Sequence, residues 1–185
     1  MNMAPLVSYI FMIRGINVGG HKIVKMDALR KSFEKLGFKD VQTYVQSGNV
    51  VAKAPKQVTV ALEEKVRKQI LKDFGHEVTV MVRSAEEMEA VIRANPFAKD
   101  ASNDVTRLHV TFLSEIPESG GVKLLAKISA GADKYHCCGR EVYLYCPGGY
   151  GESKLSNNAL EKALSRNGTT RNWNTVNKLR DMAGK

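Results

Sequence analysis

The segment "RGINVGGHK", residues 14–22, sets Gly15, Gly19 and Gly20 between the cations Arg14 and Lys22. A glycine-rich link between a strand and a helix is where backbone N–H groups can cradle a phosphate. Arg14 and Lys22 would supply charge, and Asn17 a hydrogen bond. The formal phosphate motifs are not met. A Walker A loop needs Lys where this chain has His21, and the dinucleotide fingerprint needs glycine where it has Asn17. The competing reading is a turn whose glycines supply positive φ.

"PGGYGESK", residues 147–154, repeats the arrangement, with Gly148 and Gly149 ahead of Ser153 and Lys154. Its lysine, like Lys22, can act as a point charge toward phosphate. "QSGN" puts Ser47 and Asn49 at a predicted hairpin tip, where polar residues also serve the turn itself. "TTRNWNTVNKL", residues 169–179, carries the sole tryptophan at a predicted helix start. Asn172 is the expected N-cap, so Trp173 is the first helical residue. Arg171 would add a bidentate fork beside the unpaired N–H groups. Trp173 is then either the wall of an anion site or a core ring packed with Val176 and Leu179. A cap does not need Arg171, which is therefore expected to serve a ligand and not stability.

Other chemistries lack their residues. Cys137 and Cys138 point to opposite faces of one strand. With Gly139-Arg140 as the turn of a hairpin, Cys137 faces Val142 and Cys138 faces Glu141, and Cys146 lies about 13 Å from Cys137 at ~3.3 Å per residue. That is too far for a shared zinc or a disulfide. The histidines, at 21, 76, 109 and 136, show no metal-ligand or triad spacing. No metal and no cofactor is expected. His21 alone sits in a glycine loop.

The elements that would position these residues follow from hydrophobic periodicity. "LVSYIFMIR" reads as a buried strand, and Met26, Leu29, Phe33 and Leu36 as a helix ended by Gly37. "VQTYVQ" and "NVVAKA" are strands around "SGN". Leu62, Val66, Ile70 and Phe74 mark a helix, and "EVTVMVR" a strand. The order βαββαβ is that of the ferredoxin-like split βαβ motif. Ser84 and Glu87 form a capping box for a linking helix, which Asn95-Pro96 stops. The second half predicts a strand at "TRLHVTFLS", a helix through Val122, Leu125 and Ile128, and a hairpin of "KYHCC" and "EVYLYC". Ser156 caps a helix that carries Leu160 and Leu164, with Leu155 as its staple, and Asn167-Gly168 closes that helix. A last helix holds Val176, Leu179 and Met182. This repeats βαββα with a helix where the final strand would stand. The fold class is therefore α+β, two ferredoxin-like lobes in tandem, residues 1–94 and 95–185.

The 185 residues carry 28 Lys and Arg against 19 Asp and Glu, a net +9. That balance favours anionic partners: nucleotides, phosphorylated metabolites or nucleic acid. No run approaches the ~20 apolar residues of a membrane span. The first residues lack a basic region and a cleavage site, so a cytoplasmic location, away from membrane, is expected. An RNA reader of the RRM type needs aromatics on its central strands. Tyr9 and Phe11 lie on the first strand, but "NVVAKA" has none.

"RGINVGG", "TYVQSGNVV", "GREVYLY", "GESKLSN" and "TTRNWNTV" together resemble a bacterial family designated as a domain of unknown function, number 1697. The resemblance spans nearly the whole chain. It implies a tandem α+β architecture and carries over no activity and no catalytic residues. The functional expectation is binding of an anionic, nucleotide or phosphorylated, ligand between the lobes. Arg14, Asn17, Gly19, Gly20, Lys22, Ser47, Asn49, Ser153, Lys154, Arg171, Asn172 and Trp173 are its site residues. The alternatives are nucleic-acid binding through a basic face, an enzyme in the same pocket with His21 or Glu152 carrying protons, and an oligomeric or protein-partner module. Oligomeric state is left open.

Overall fold

The structure is a computed structural model that describes residues 5–128 and 130–184. The chain divides into two compact units, residues 1–90 with 178–185, and residues 91–177.

In the first unit the order is β1 (Leu6–Ile13), α1 (Met26–Lys35), β2 (Lys39–Tyr44), β3 (Asn49–Pro55), α2 (Thr59–Phe74) and β4 (Val80–Ser84). The sheet runs β2-β3-β1-β4, and all its pairs are antiparallel. Alternation along β1 decides the core. Tyr9, Phe11 and Ile13 turn to one face and join Leu29 and Phe33 of α1 and Leu62, Val66 and Ile70 of α2. Phe11 meets the rings of Phe33 and Phe38 edge-on, at 4.9 and 5.1 Å between centroids. Such pairs add to plain area burial. The opposite face of the sheet is closed as well, with Ile10, Met12, Val51 and Met81 all buried. Tyr9 and Phe11 therefore pack inward, and no exposed stacking platform of the RRM kind exists on β1 or β3.

Helix α3 (Ala85–Ala94) follows β4. The expected capping box is formed reciprocally: Glu87 N–H donates to Ser84 Oγ at 3.1 Å, and Ser84 N–H to Glu87 Oε2 at 2.7 Å.

The second unit runs β5 (Leu108–Leu113), α4 (Ser119–Leu125), β6 (Lys134–Cys138), β7 (Glu141–Tyr145), α5 (Asn157–Leu164) and β8 (Gly168–Asn172), then α6 (Trp173–Ala183), which the division between units cuts after Asn177. Its sheet, β6-β7-β5-β8, has the same strand order as the first. Leu125, Leu155, Leu160 and Leu164 pack with Leu113, Val142, Leu144 and Cys146 on one face. The Cys137↔Val142 and Cys138↔Glu141 pairing follows the expected hairpin register.

One expectation needs correcting. A final strand, β8, stands where the sequence pattern gave none. "GTTRN" has no apolar residue for a period-2 pattern to register, yet it pairs antiparallel with β5 from Leu113↔Gly168 to His109↔Asn172. Helix α5 also ends earlier than Gly168, at Ser165 in the left-handed region with φ 51°.

With β8 in place, an internal correspondence becomes visible. Arg83 pairs with Ile10 of β1, and Arg171 with Val110 of β5. Both arginines are buried, and each donates from Nη1 to the carbonyl of the residue before it, at 2.8 and 2.9 Å. Each is followed by a helix cap: Ser84 for α3, and Asn172, whose Oδ1 accepts from Thr175 N–H at 2.8 Å, for α6.

Candidate functional site

The loop after β1 is braced by one side chain. Asn17 Oδ1 accepts from Val24 N–H at 2.8 Å, and its Nδ2 donates to the carbonyls of Val24 and Gln46, each at 2.9 Å. This ties "RGINVGG" to the β2–β3 hairpin. A second tie is the Ile13 N–H donating to the Gly48 carbonyl at 2.8 Å. Asn49 is fully buried and donates to the Tyr44 carbonyl and to Ser47 Oγ. Lys22, at φ 47°, reaches the Glu77 carbonyl at 2.5 Å. Gly19 and Gly20 take φ of 57° and 77° in an exposed turn, closed by His21 N–H donating to the Val18 carbonyl.

Beside this brace lies an open groove of about 610 Å³, lined by Asn17, Ile23, Val24, Lys25, Met26, Asp27, Ala28, Lys31 and Gln46. It contains the first turn of α1. Lys25 is the N-cap residue and its side chain makes no capping hydrogen bond. The leading N–H groups of the helix have no intrahelical acceptor and lie in the positive end of the helix dipole.

In the second unit the glycine loop is fastened to the sheet by a hydroxyl chain. Tyr150 Oη donates to Thr170 Oγ1 at 3.1 Å and accepts from the Asn157 backbone N–H. Thr170 passes its own proton to Asn157 Oδ1 at 3.1 Å, so Thr111, 2.8 Å away, is the donor in that contact. The Tyr150 ring stacks on His109 at 4.7 Å and 22°. His109 Nδ1 lies 3.3 Å from the Arg107 carbonyl. A carbonyl only accepts, so Nδ1 carries the proton in that contact. Ser153 donates to Asp133 at 2.6 Å and accepts from Leu155 N–H, while Lys154 is exposed.

Known proteins place the chain by sequence. The family model described as "Protein of unknown function (DUF1697)" matches residues 6–143. The chain belongs to the DUF1697 family. The motifs "GESKLSN" and "TTRNWNTV" of this DUF1697 chain lie beyond the matched residues. The chain is also similar in structure to the conserved bacterial protein SP0830 from Streptococcus pneumoniae, with a TM-score of 0.79 and 22% identity over 98% of this chain and 100% of that one. At that identity the likeness speaks for the fold. No curated protein matches the DUF1697 chain.

The predicted site residues thus separate by unit. Arg14, Asn17, Gly19, Gly20, Lys22, Ser47 and Asn49 gather on linked loops of the first, where Asn17, Lys22 and Asn49 are engaged by backbone carbonyls. Ser153, Lys154, Arg171, Asn172 and Trp173 belong to the second. Arg171 is not at a surface. It is 9% exposed, it donates to Thr169 Oγ1 at 2.7 Å, and burial lowers its pKa to about 10. The expectation that it spares stability rested on the cap having no need of it, whereas its side chain is buried on strand β8. Trp173 is 8% exposed, which fits the core reading. Among the described residues no cluster of His, Cys, Asp and Glu is arranged to hold a metal ion, and no helix is long and apolar enough to cross a membrane.

Sequence reading overlooked His109, Tyr150 and Asn157. The available signal was polar residues on an inward parity: His109 and Thr111 share the face of Leu113 on β5.

Burial holds the His109 imidazole below its usual 6.5, partly opposed by the Arg107 carbonyl. Because the folded value is depressed, the unfolded chain takes up the proton first as the solution is acidified. The stability linked to His109 is present above about pH 6.5 and is lost as pH falls through the folded-state value. We expect His109→Phe, which retains a stacking ring, to flatten the acid limb of a stability profile from denaturant melts. An unchanged limb would show that His109 does not titrate differently on folding.

Proposed function

We propose that this protein binds an anionic ligand, a nucleotide or other phosphorylated compound, in the groove beside α1. The carrying observation is the coincidence, in one groove, of Lys25, Lys31 and the uncapped first turn of a ten-residue helix. Charge and N–H donors together attract anions. Asp27 is the opposing carboxylate there. Asn17 and Gln46, which also line the groove, hold its wall by the hydrogen bond between them.

The reading includes the architecture. Each unit is taken as a ferredoxin-like split βαβ lobe, because both repeat βαββαβ with the same strand order. The lobe boundary is placed between residues 94 and 95, after α3.

The test is amide chemical-shift mapping during titration with AMP and with inorganic phosphate. Shifts should concentrate at residues 25–31. The Lys25→Glu, Lys31→Glu double variant should weaken AMP roughly tenfold or more, about 1.4 kcal/mol, while Lys162→Glu on α5 leaves it unchanged. Equal affinity in both variants would remove the groove as the anion site.

A further inference from the structure

We infer that the occupant of the α1 groove is an amphipathic anion, a phosphate group joined to an aliphatic body. This rests on the anion reading above and narrows it. Apart from Lys25, Lys31 and Asp27, the Asn17 carboxamide, which is engaged by backbone groups of Val24 and Gln46, and Gln46 itself, the lining is Ile23, Val24, Met26 and Ala28. Two lysines against one carboxylate select an anionic group. The aliphatic surface beside them gives nothing to a sugar hydroxyl or a free phosphate, but it gains from an alkyl chain.

The apolar surface is built, not frayed. Asn17 grips both the N–H and the C=O of Val24, at 2.8 and 2.9 Å, and Val24 is 3% exposed. With Val24 held inward and Lys22 tied to the Glu77 carbonyl, Ile23 between them is directed outward and stays 60% exposed. Val18 and Val45, 62% and 51% exposed, adjoin Asn17 and Gln46, the two residues that bond the loops together. Val45 is a β-branched residue at φ 50°, a conformation such residues rarely adopt. A chain selected only for solubility would carry a polar residue, Asn or Gly, at such a tip. Of these outward aliphatics, Ile23 lines the cationic groove itself.

The experiment titrates the full chain with octyl phosphate, AMP, inorganic phosphate and octyl glucoside, each below its micelle concentration, and follows amide and methyl resonances. Octyl phosphate should bind about tenfold or more tighter than AMP or phosphate, as expected for partial burial of its chain. It should shift the Ile23 and Met26 methyls. Ile23→Ser should bring octyl phosphate affinity down toward that of AMP. Asp27→Asn should tighten binding of octyl phosphate and AMP alike. If AMP and octyl phosphate bind the groove equally, the aliphatic body is refuted and the anion reading stands. If octyl glucoside binds as tightly as octyl phosphate, the groove is merely apolar and the anion reading falls. If none binds there, both readings fall. An unchanged amide spectrum of each variant confirms that it folds.

Discussion

Gly48→Ala is expected to lower stability by about 2–5 kcal/mol, a fall in Tm on the order of 10 °C. Two effects add. Gly48 has φ +77°, where an L side chain is strained by ~1–2 kcal/mol. Its added Cβ would also lie 2.9 Å from the Ile13 carbonyl oxygen and 2.9 Å from Ile16 Cγ1. The carbonyl cannot give way, because β1 is fixed there by its pairing with β4 at Ile13↔Val80 and by the Ile13 N–H bond to Gly48 itself. Gly20 is the internal control. It has the same φ of +77°, yet nothing lies within 4 Å of its would-be Cβ. Gly20→Ala should therefore cost only the backbone share, ~1–2 kcal/mol. Thermal and urea melts of the two variants separate the terms. Equal losses would show that the close approach at Gly48 relaxes freely.

Trp173→Ala should cost ~3–5 kcal/mol, the range for deleting a large buried aromatic side chain. The ring is 8% exposed at the first position of α6, and Val176 and Leu179, on the same helix, are fully buried. Asn174, its exposed neighbour, provides the contrast: Asn174→Ala should change stability by no more than about 0.5 kcal/mol. A loss under about 1 kcal/mol for Trp173→Ala would mean that the indole is not held by packing, and would restore it as a candidate wall for a ligand.

The helix boundaries and core positions of the first unit, and the caps at Ser84, Ser156 and Asn172, were legible in the sequence because they depend on near neighbours. Leu29 and Phe33, or Leu62, Val66 and Ile70, recur at helical spacing whatever they pack against. Ser84 and Asn172 cap from within three residues of the N–H groups they serve. Glycine loops were legible as positive-φ segments for the same reason, and Gly19, Gly20 and Gly149 are so.

Tertiary structure decided the rest. Strand β8 has no apolar rhythm of its own, and only its ladder with β5 makes "GTTRN" a strand. That ladder in turn buries Arg171, which local chemistry had offered to a ligand. Asn17 reads as a polar loop residue until Val24 and Gln46 are brought to it, and it then proves to be the brace of two motifs. The groove beside α1 is likewise a product of folding. Lys25 and Ile23 are unremarkable in sequence, and they acquire meaning because the brace fixes which of their neighbours turns inward. Local propensities are set by steric and hydrogen-bonding rules acting over a few residues, whereas burial and engagement of a side chain depend on segments distant along the chain.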